Sequence, residues 1–274
     1  GLSMSKLGLC FTGGGAKGAY QIGAAQALSE LGLLEKVQVF SGTSIGAANV
    51  SVLASSSVDR CREIWFNMPK NAISKNESLI KRFSKERLKM IDHGIFQIDT
   101  FEETMVQDIN YEVLITKDVY VTVSEGGADG KGIFELVKST YDHYVKKDSK
   151  VLYLPLKELS KAECYKAVVA SCSIPIIFPA VENDHIKYYD GGVFDNVPIR
   201  PLIDAGCDEI IIVHINRTTF YKTPIHQGIK FHEIKHNRGL GGMLDFSIEH
   251  AKKIYEYGYQ DTLAYFKNLN QKLG

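Results

Sequence analysis

The sequence predicts an α/β fold in which a mostly parallel sheet is covered by helices. In its amino-terminal part, short buried strands alternate with helical stretches, the order of elements that builds parallel sheets. The 274 residues are 45% hydrophobic, which is enough for a large core. The longest aliphatic run, Ile210–Val213, is far too short to cross a bilayer. We therefore expect a single domain over residues 4–274, without a membrane-spanning segment.

The first two strand–helix units follow each other directly. Leu7–Phe11 is an apolar strand, and Ala19–Leu31 is an alanine-rich helix that stops at Gly32. Val37–Phe40 is a second strand, and Ala47–Ala54 is the helix that follows it. A glycine-rich segment lies between strand and helix in both units.

Further elements are predicted along the rest of the chain by the same patterns. Strands are expected at Val119–Val123 and Val151–Leu154, and a helix at Lys161–Ala170. Glu209–Ile215 is rich in β-branched residues and is expected to be a central strand. Met243–Leu269 predicts one or two terminal helices.

A basic segment interrupts this pattern. Met68–Ile91 contains seven Lys and Arg residues against two Glu residues, a local net charge of +5. One interpretation is a solvated helical surface, and the other is a basic face that meets anionic lipid headgroups. We assign residues of about 55–115 to a basic helical insertion or cap, and residues of about 241–270 to a C-terminal helical extension.

Charge and cysteine content exclude several classes of protein. The 32 basic residues are balanced by 32 acidic residues, which argues against a nucleic-acid-binding protein that relies on bulk positive charge. The five cysteines are scattered and contain no C-x-x-C pair, so neither a disulfide framework nor a cysteine-rich zinc site is expected. This usage favours a cytoplasmic location.

A glycine loop joins the first strand to the first helix. Gly13, Gly15 and Gly18 fit the pattern G-x-G-x-x-G. A dinucleotide site would use such a loop to bring pyrophosphate to the helix N-terminus, whereas an acyl-transfer site would aim its backbone N–H groups at a developing oxyanion. The second strand ends without the acidic residue that a dinucleotide site requires. Dinucleotide binding remains as one alternative.

A serine turn joins the second strand to the second helix. Gly42, Ser44 and Gly46 fit G-x-S-x-G at a strand-to-helix junction, which is the context of a nucleophile elbow. The two glycines leave room for a sharp turn and close packing. The alternative is a purely structural serine that caps the following helix.

A serine nucleophile needs a general base, and the sequence offers two candidates. A Ser–Asp–His triad would be possible with Ser44, Asp190 and His214, but His214 lies inside an apolar strand, where a histidine is usually part of the core. Asp190 follows a short strand, and Gly191 and Gly192 let the chain turn away directly after it. An aspartate is a weak base, so it would have to take the proton while the carbon–oxygen bond forms, in a dry site.

Together these segments resemble the patatin-like phospholipase family. The matching residues are Gly13–Gly18, Gly42–Gly46 and Asp190–Gly192. Ala170–Pro179 and Asn196–Pro198 resemble two further landmarks of the family. The combination is far more specific than any one of its parts.

The resemblance implies a three-layer α/β/α fold and a lipid acyl hydrolase of the phospholipase A or lysophospholipase type. It implies that Ser44 is the nucleophile and Asp190 its base, without histidine, metal or organic cofactor. The oxyanion hole would be formed by the backbone around Gly13, Gly14 and Gly15. The supporting residues would be Lys17, Gly18, Gly42, Gly46, Gly191 and Gly192. The expected partners are a lipid ester and, at the periphery, an anionic membrane surface, with no nucleic acid.

A second alternative is a zinc hydrolase. Residues 232–236 read H-E-x-x-H, which on a helix places two imidazoles on one face, with Glu233 as general base and Glu256 at a plausible distance for a third ligand. Lys235 places a positive charge inside this motif, and Gly242 stands where its longer form needs a third histidine. The competing interpretation is a solvated polar loop.

Overall fold

The computed structural model describes residues 5–67, 104–124, 151–172, 197–216, 226–242 and 245–273. Within these ranges six strands form one sheet in the order β4-β3-β2-β1-β5-β6. All neighbouring pairs are parallel except β3–β4, which is antiparallel. The strands are β1 (Leu7–Phe11), β2 (Val37–Gly42), β3 (Asp118–Ser124), β4 (Val151–Pro155), β5 (Glu209–Val213) and β6 (Lys230–Ile234).

Helices connect and cover these strands. None of the helices in the described ranges is both long and apolar enough to cross a membrane. The α-helices with defined bounds are α1 (Ala19–Glu30), α2 (Ile45–Ser55), α3 (Val58–Phe66), α4 (Tyr111–Leu114), α5 (Lys161–Cys172), α6 (Arg200–Asp204) and α7 (Ile248–Leu273). Short 3-10 turns precede α1 at Gly15–Gly18, precede β2 at Leu34–Lys36 and follow β4 at Leu156–Glu158.

Five of the strands predicted from the sequence are present, with ends shifted by at most two residues. The short strand predicted directly before Asp190 lies outside the described residues. The strand β6 was not predicted, and it occupies residues for which a zinc-binding helix or a polar loop was expected. The basic segment Met68–Ile91 lies outside the described residues, so its cap or membrane role stays a prediction.

Side chains on the two faces of the sheet enter separate apolar clusters. From β1, Leu9 and Phe11 enter the larger cluster, which includes residues of α1, α2, α3, α5 and α7. Cys10 points the other way, into a smaller cluster with Ile212 and with Leu202 of α6. Helices therefore cover both faces, and the fold is a three-layer α/β/α arrangement with a mostly parallel sheet, as predicted.

Two glycines bring α1 and α7 into backbone contact. A β-carbon on Gly23 would lie 1.8 Å from the carbonyl oxygen of Tyr255, and one on Gly258 would lie 1.9 Å from that of Tyr20. Both distances are shorter than any real contact, so only glycine fits at this crossing. The long C-terminal helix thereby fixes α1, the helix that follows the glycine loop.

The topology places the glycine loop and the serine turn at the same edge of the sheet. β1, β2 and β5 run parallel, so their carboxyl ends lie together. The chain continues from β1 to β2 on one side, while β5 pairs with β1 on the other side. Open α/β sheets bind ligands outside the carboxyl ends of their strands at such a switch point.

Candidate active site

Ser44 occupies a strained turn between β2 and α2. Its backbone has φ 59° and ψ −126°, and among the described residues it is the one non-glycine residue with positive φ. A conformation of this kind costs about 1–3 kcal/mol and persists only where the surroundings enforce it. Ser44 is buried, with 3% of its surface exposed.

The flanking glycines are required by close packing. A β-carbon on Gly42 would lie 2.4 Å from the carbonyl oxygen of Gly46, and one on Gly46 would lie 2.3 Å from that of Phe11 and 2.6 Å from that of Thr12. The start of α2 therefore rests against the backbone that leads into the glycine loop. The backbone N–H of Thr43 also donates to the carbonyl of Phe11 at 3.2 Å, which ties the two turns together.

The last turn of α5 holds both backbone polar groups of Ser44. The backbone N–H of Ser44 donates to Oγ of Ser171 at 2.8 Å, and Sγ of Cys172 lies 3.3 Å from the carbonyl oxygen of Ser44 as a weak donor. Ser171 is fully buried. From the sequence this stretch was predicted only as a family landmark, and its contact with Ser44 was missed because 127 residues separate the two serines.

The glycine loop is held at its first carbonyl groups. Nδ2 of Asn216 donates to the carbonyl of Gly13 at 2.6 Å, and Nζ of Lys17 donates to Oδ1 of the same Asn216 at 3.4 Å. Gly15 has φ 60°, which favours glycine, and a β-carbon on Gly14 would lie 2.8 Å from the side chain of Ile215. Lys17 thus contacts the residue that holds Gly13, and its supporting role in the loop stays a prediction.

Gly18 closes the loop against the next two helices. A β-carbon there would lie 2.8 Å from side-chain atoms of both Ile45 and Trp65. Since Ile45 directly follows Ser44, the loop end and the serine turn pack against each other. Asp190, Gly191 and Gly192 lie outside the described residues, so their placement relative to Ser44 stays a prediction.

Burial shifts two titratable groups beside the loop. Burial and a 2.7 Å hydrogen bond to Asp261 raise the pKa of the Tyr20 hydroxyl far above its ordinary value. Burial lowers the pKa of His236, and Lys17 lowers it further by charge repulsion, against the raising effect of a hydrogen bond to the Arg238 backbone. Both groups therefore favour their neutral forms near neutral pH.

His214 immediately follows β5. Its side chain is 3% exposed, and its Nε2 lies 2.9 Å from Oε1 of Glu233 on the neighbouring β6. β1 lies between β5 and β2, the strand that leads to Ser44. Neighbouring strands are spaced about 4.8 Å apart, so the backbones of β5 and β2 lie roughly 10 Å apart. The partner of His214 is therefore the carboxylate of Glu233, on the strand that pairs with β5.

The first three residues of the H-E-x-x-H stretch form the end of β6, and the helical premise of the zinc alternative is wrong. Successive side chains of a strand point to opposite faces, so this stretch does not place His232 and His236 on one face of a helix. His232 is buried between Oε1 of Glu209 at 2.7 Å and the hydroxyl of Tyr265 at 2.8 Å. The solvated-loop interpretation is equally wrong up to Ile234, where β6 ends. Within the described part of the chain, no group of three His, Cys, Asp or Glu residues could hold a metal ion.

Comparisons with known proteins find a matching family and related sequences. The family model for patatin-like phospholipase matches residues 9–203. The chain is 29% identical over 198 residues to mouse 1-acylglycerol-3-phosphate O-acyltransferase Pnpla3, covering 70% of this chain and 40% of that protein. It is 23% identical over 215 residues to lysophospholipase NTE1 of Cryptococcus neoformans var. neoformans, covering 77% of this chain and 11% of that protein.

A solved structure shares the fold. ExoU in its complex with SpcU, from the type III secretion system of Pseudomonas aeruginosa, superimposes with a TM-score of 0.50 at 16% identity. The match covers 97% of this chain and 51% of the other. The chain therefore spans about half of that structure and less than half of the curated relatives. Because the family model matches well over half of its length, this chain belongs to the patatin-like phospholipase family.

Proposed function

We propose that this protein is a lipid acyl hydrolase that cleaves carboxylic esters of phospholipids or lysophospholipids. The observation that carries this proposal is the strained turn at Ser44, packed against a glycine loop at the switch point of the sheet. This arrangement offers a nucleophile and a set of backbone donors side by side. Membership of a phospholipase family and the name of the related lysophospholipase support the same substrate class.

The proposed reaction proceeds through an acyl-serine intermediate. Oγ of Ser44 attacks the ester carbonyl carbon while Asp190 accepts its proton. The oxyanion that forms receives hydrogen bonds from the backbone around Gly13, Gly14 and Gly15, and each such donor is worth about 3 kcal/mol. The ester bond breaks, and the alcohol leaves with the proton from Asp190.

Deacylation then reverses the roles of the reacting groups. Asp190 accepts a proton from a water molecule, which attacks the acyl carbon of the intermediate. The bond to Oγ of Ser44 breaks, the hydroxyl regains its proton from Asp190, and a fatty acid is released. The net reaction consumes one ester and one water and yields one acid and one alcohol.

The chain on both sides of Asp190 supports its role as the base. Upstream, α5 ends at Cys172, which contacts the Ser44 carbonyl. Downstream, the carbonyl of Pro198 accepts a hydrogen bond of 2.7 Å from Oγ of Ser41, which lies in β2 three residues before Ser44. The described residues that precede and follow the Asp190 segment therefore contact Ser44 itself and the strand that leads to it.

A Ser–Asp dyad accounts for these observations better than a triad. His214 is paired with Glu233 on the far side of β1, away from the strand that leads to Ser44.

We also propose that the basic segment Met68–Ile91, with its charge of +5, brings the enzyme to anionic membrane surfaces.

The decisive experiment combines substitution with active-site labelling. Ser44→Ala and Asp190→Asn should each abolish hydrolysis of a p-nitrophenyl ester, and a fluorophosphonate should modify the peptide that contains Ser44. Ser51→Ala and Asp204→Asn are matched controls, because Ser51 bonds within its own helix and Asp204 lies on the surface. Full activity of either site variant would refute the dyad.

His214→Ala separates the dyad from the triad in the same assay. A dyad predicts nearly normal turnover, because the imidazole contributes no proton transfer. A loss of two or more orders of magnitude in a folded variant would restore the triad.

A further inference from the structure

Three buried polar side chains connect the glycine loop to the helix behind Ser44. Nε2 of Gln21 donates to the carbonyl of Thr12 at 2.7 Å, and Nδ2 of Asn49 donates to Oε1 of Gln21 at 2.9 Å. Nδ2 of Asn49 also donates to the carbonyl of Gly18 at 3.1 Å, and Nε1 of Trp65 donates to Oδ1 of Asn49 at 2.9 Å. Both amides are fully buried, and Trp65 is 1% exposed.

Each amide in this network is engaged at both of its ends. Gln21 accepts from Asn49 and donates to Thr12, with a longer contact of 3.5 Å to the carbonyl of Val213. Asn49 accepts from Trp65 and donates to two different oxygens. Burying polar groups is costly unless they are hydrogen-bonded, and a fully bonded network is rigid. The network therefore holds its attachment points at fixed separations.

The attachment points lie on both sides of Gly13–Gly15, the residues of the proposed oxyanion hole. The carbonyls of Thr12 and Gly18 flank the glycine loop at its two ends, and Asn49 lies on α2, five residues after Ser44. A change at either amide would therefore alter the position of the loop relative to the nucleophile. Neither residue contacts the substrate carbonyl in the proposed mechanism.

A hydrogen bond to a carbonyl group of the loop also fixes the direction of the N–H group of the following residue. In a planar trans peptide the carbonyl and the following N–H point in opposite directions. Gln21 holds the carbonyl of Thr12, and this sets the direction of the N–H of Gly13. Asn216 holds the carbonyl of Gly13 and sets the direction of the N–H of Gly14 in the same way.

We infer that Gln21 and Asn49 are positioning residues of the acyl hydrolase site, which orient the glycine-loop peptides toward the oxyanion. This inference rests on the proposed function. Trp65 anchors the outer end of the network through its indole N–H. An oxyanion hole built from backbone groups needs such support, because its donors cannot be adjusted by side-chain rotation.

The test uses Gln21→Met and Asn49→Leu, which keep most of the volume and remove the hydrogen bonds. Hydrolysis of a p-nitrophenyl ester is measured, and active sites are counted by end-point labelling with a fluorophosphonate. We expect kcat per labelled site to fall at least tenfold, with KM within about threefold of the wild-type value, because oxyanion donors act mainly in the transition state. Loss of stability alone would lower the number of labelled sites without changing kcat per site.

Leu156→Ala is the control for a purely structural effect. Leu156 is fully buried and follows β4, at the edge of the sheet opposite the site. This variant should lose stability and keep the wild-type kcat per labelled site. If either network variant fails to fold, Trp65→Phe decides, because it removes the indole N–H and keeps an aromatic ring; we expect kcat per site to fall at least about threefold.

Two results separate the failure of this inference from failure of the proposed function. Wild-type protein that neither hydrolyses the ester nor reacts with the fluorophosphonate would refute both. Active wild-type protein, with kcat per site unchanged in the folded network variants, would refute the positioning role alone.

Discussion

The hydrogen bond between Ser171 and the backbone of Ser44 provides a sharp test of how the elbow is stabilised. Ser171→Ala removes the oxygen that accepts the N–H of Ser44 at 2.8 Å. The donor is buried, and the methyl group of alanine offers no acceptor. The substitution therefore leaves an unpaired N–H at the one described non-glycine residue with positive φ.

The expected effect of Ser171→Ala on stability and activity follows from the unpaired N–H and from the strained backbone of Ser44. An unpaired buried donor costs about 1–3 kcal/mol, and the backbone strain at Ser44 is of similar size, about 1–3 kcal/mol. Since the free energy of the lost hydrogen bond is comparable with that of the backbone strain, Ser44 should move to a less strained conformation. We expect the free energy of unfolding to fall by about 1–3 kcal/mol. If the same free energy of about 1–3 kcal/mol is lost from the stabilisation of the transition state, kcat falls roughly 5- to 150-fold.

Chemical denaturation and ester hydrolysis are measured on the same preparations, with Ser51→Ala as the matched control. Ser51 is also fully buried, but its hydroxyl donates only to the carbonyl of Ala47 within α2, at 2.7 Å. Its removal should change stability by less than about 0.5–1 kcal/mol, because alanine is the better helix former. If Ser171→Ala were as stable and active as Ser51→Ala, the hydrogen bond from Ser171 would not stabilise the serine turn.

Two further predictions concern packing and buried thiols. Gly258→Ala should destabilise the protein by about 3 kcal/mol or more, because its β-carbon would lie 1.9 Å from the Tyr20 carbonyl oxygen and force α1 and α7 apart. Gly239→Ala, where no atom lies within 4 Å, is the urea-denaturation control, and equal stability of the two variants would contradict the packing argument. Burial raises the pKa of Cys207 to about 11 and that of Cys164 to about 12. Unfolded thiols ionise near pH 8.5, so the unfolded state binds fewer protons above that value, and stability should fall as pH rises from about 8.5 toward 11. Cys207→Ala should make this decline shallower, and an unchanged slope would show that the Cys207 thiol does not contribute.

The strands that could be predicted are those with strong local patterns. β5, with three consecutive isoleucines, is an example, because such a run has few alternatives to a buried strand. β6 was missed because its sequence mixes charged, aromatic and aliphatic residues. Its histidine is held by Glu209 and Tyr265, 23 and 33 residues away along the chain. Tertiary contacts thus decided an element that local preference left open.

The site divides in the same way. The glycine loop and the serine turn were found from the sequence because each is a local backbone geometry, and only glycine satisfies the close approaches at Gly42 and Gly46. The supporting residues carry no such local pattern. Gln21 and Asn49 are ordinary residues of predicted helices, and Ser171 stands in a stretch noted for other reasons.

By itself, the sequence determined the α/β alternation, the two turns and the family to which the chain belongs, since all three depend on short-range backbone requirements. The tertiary structure alone decided that Ser171 holds Ser44 and that β6 replaces a helix. It also decided that Gln21 and Asn49 join the glycine loop to α2, the helix that follows Ser44. These contacts connect residues 9 to 127 positions apart, and only the folded chain brings such residues into hydrogen-bond distance.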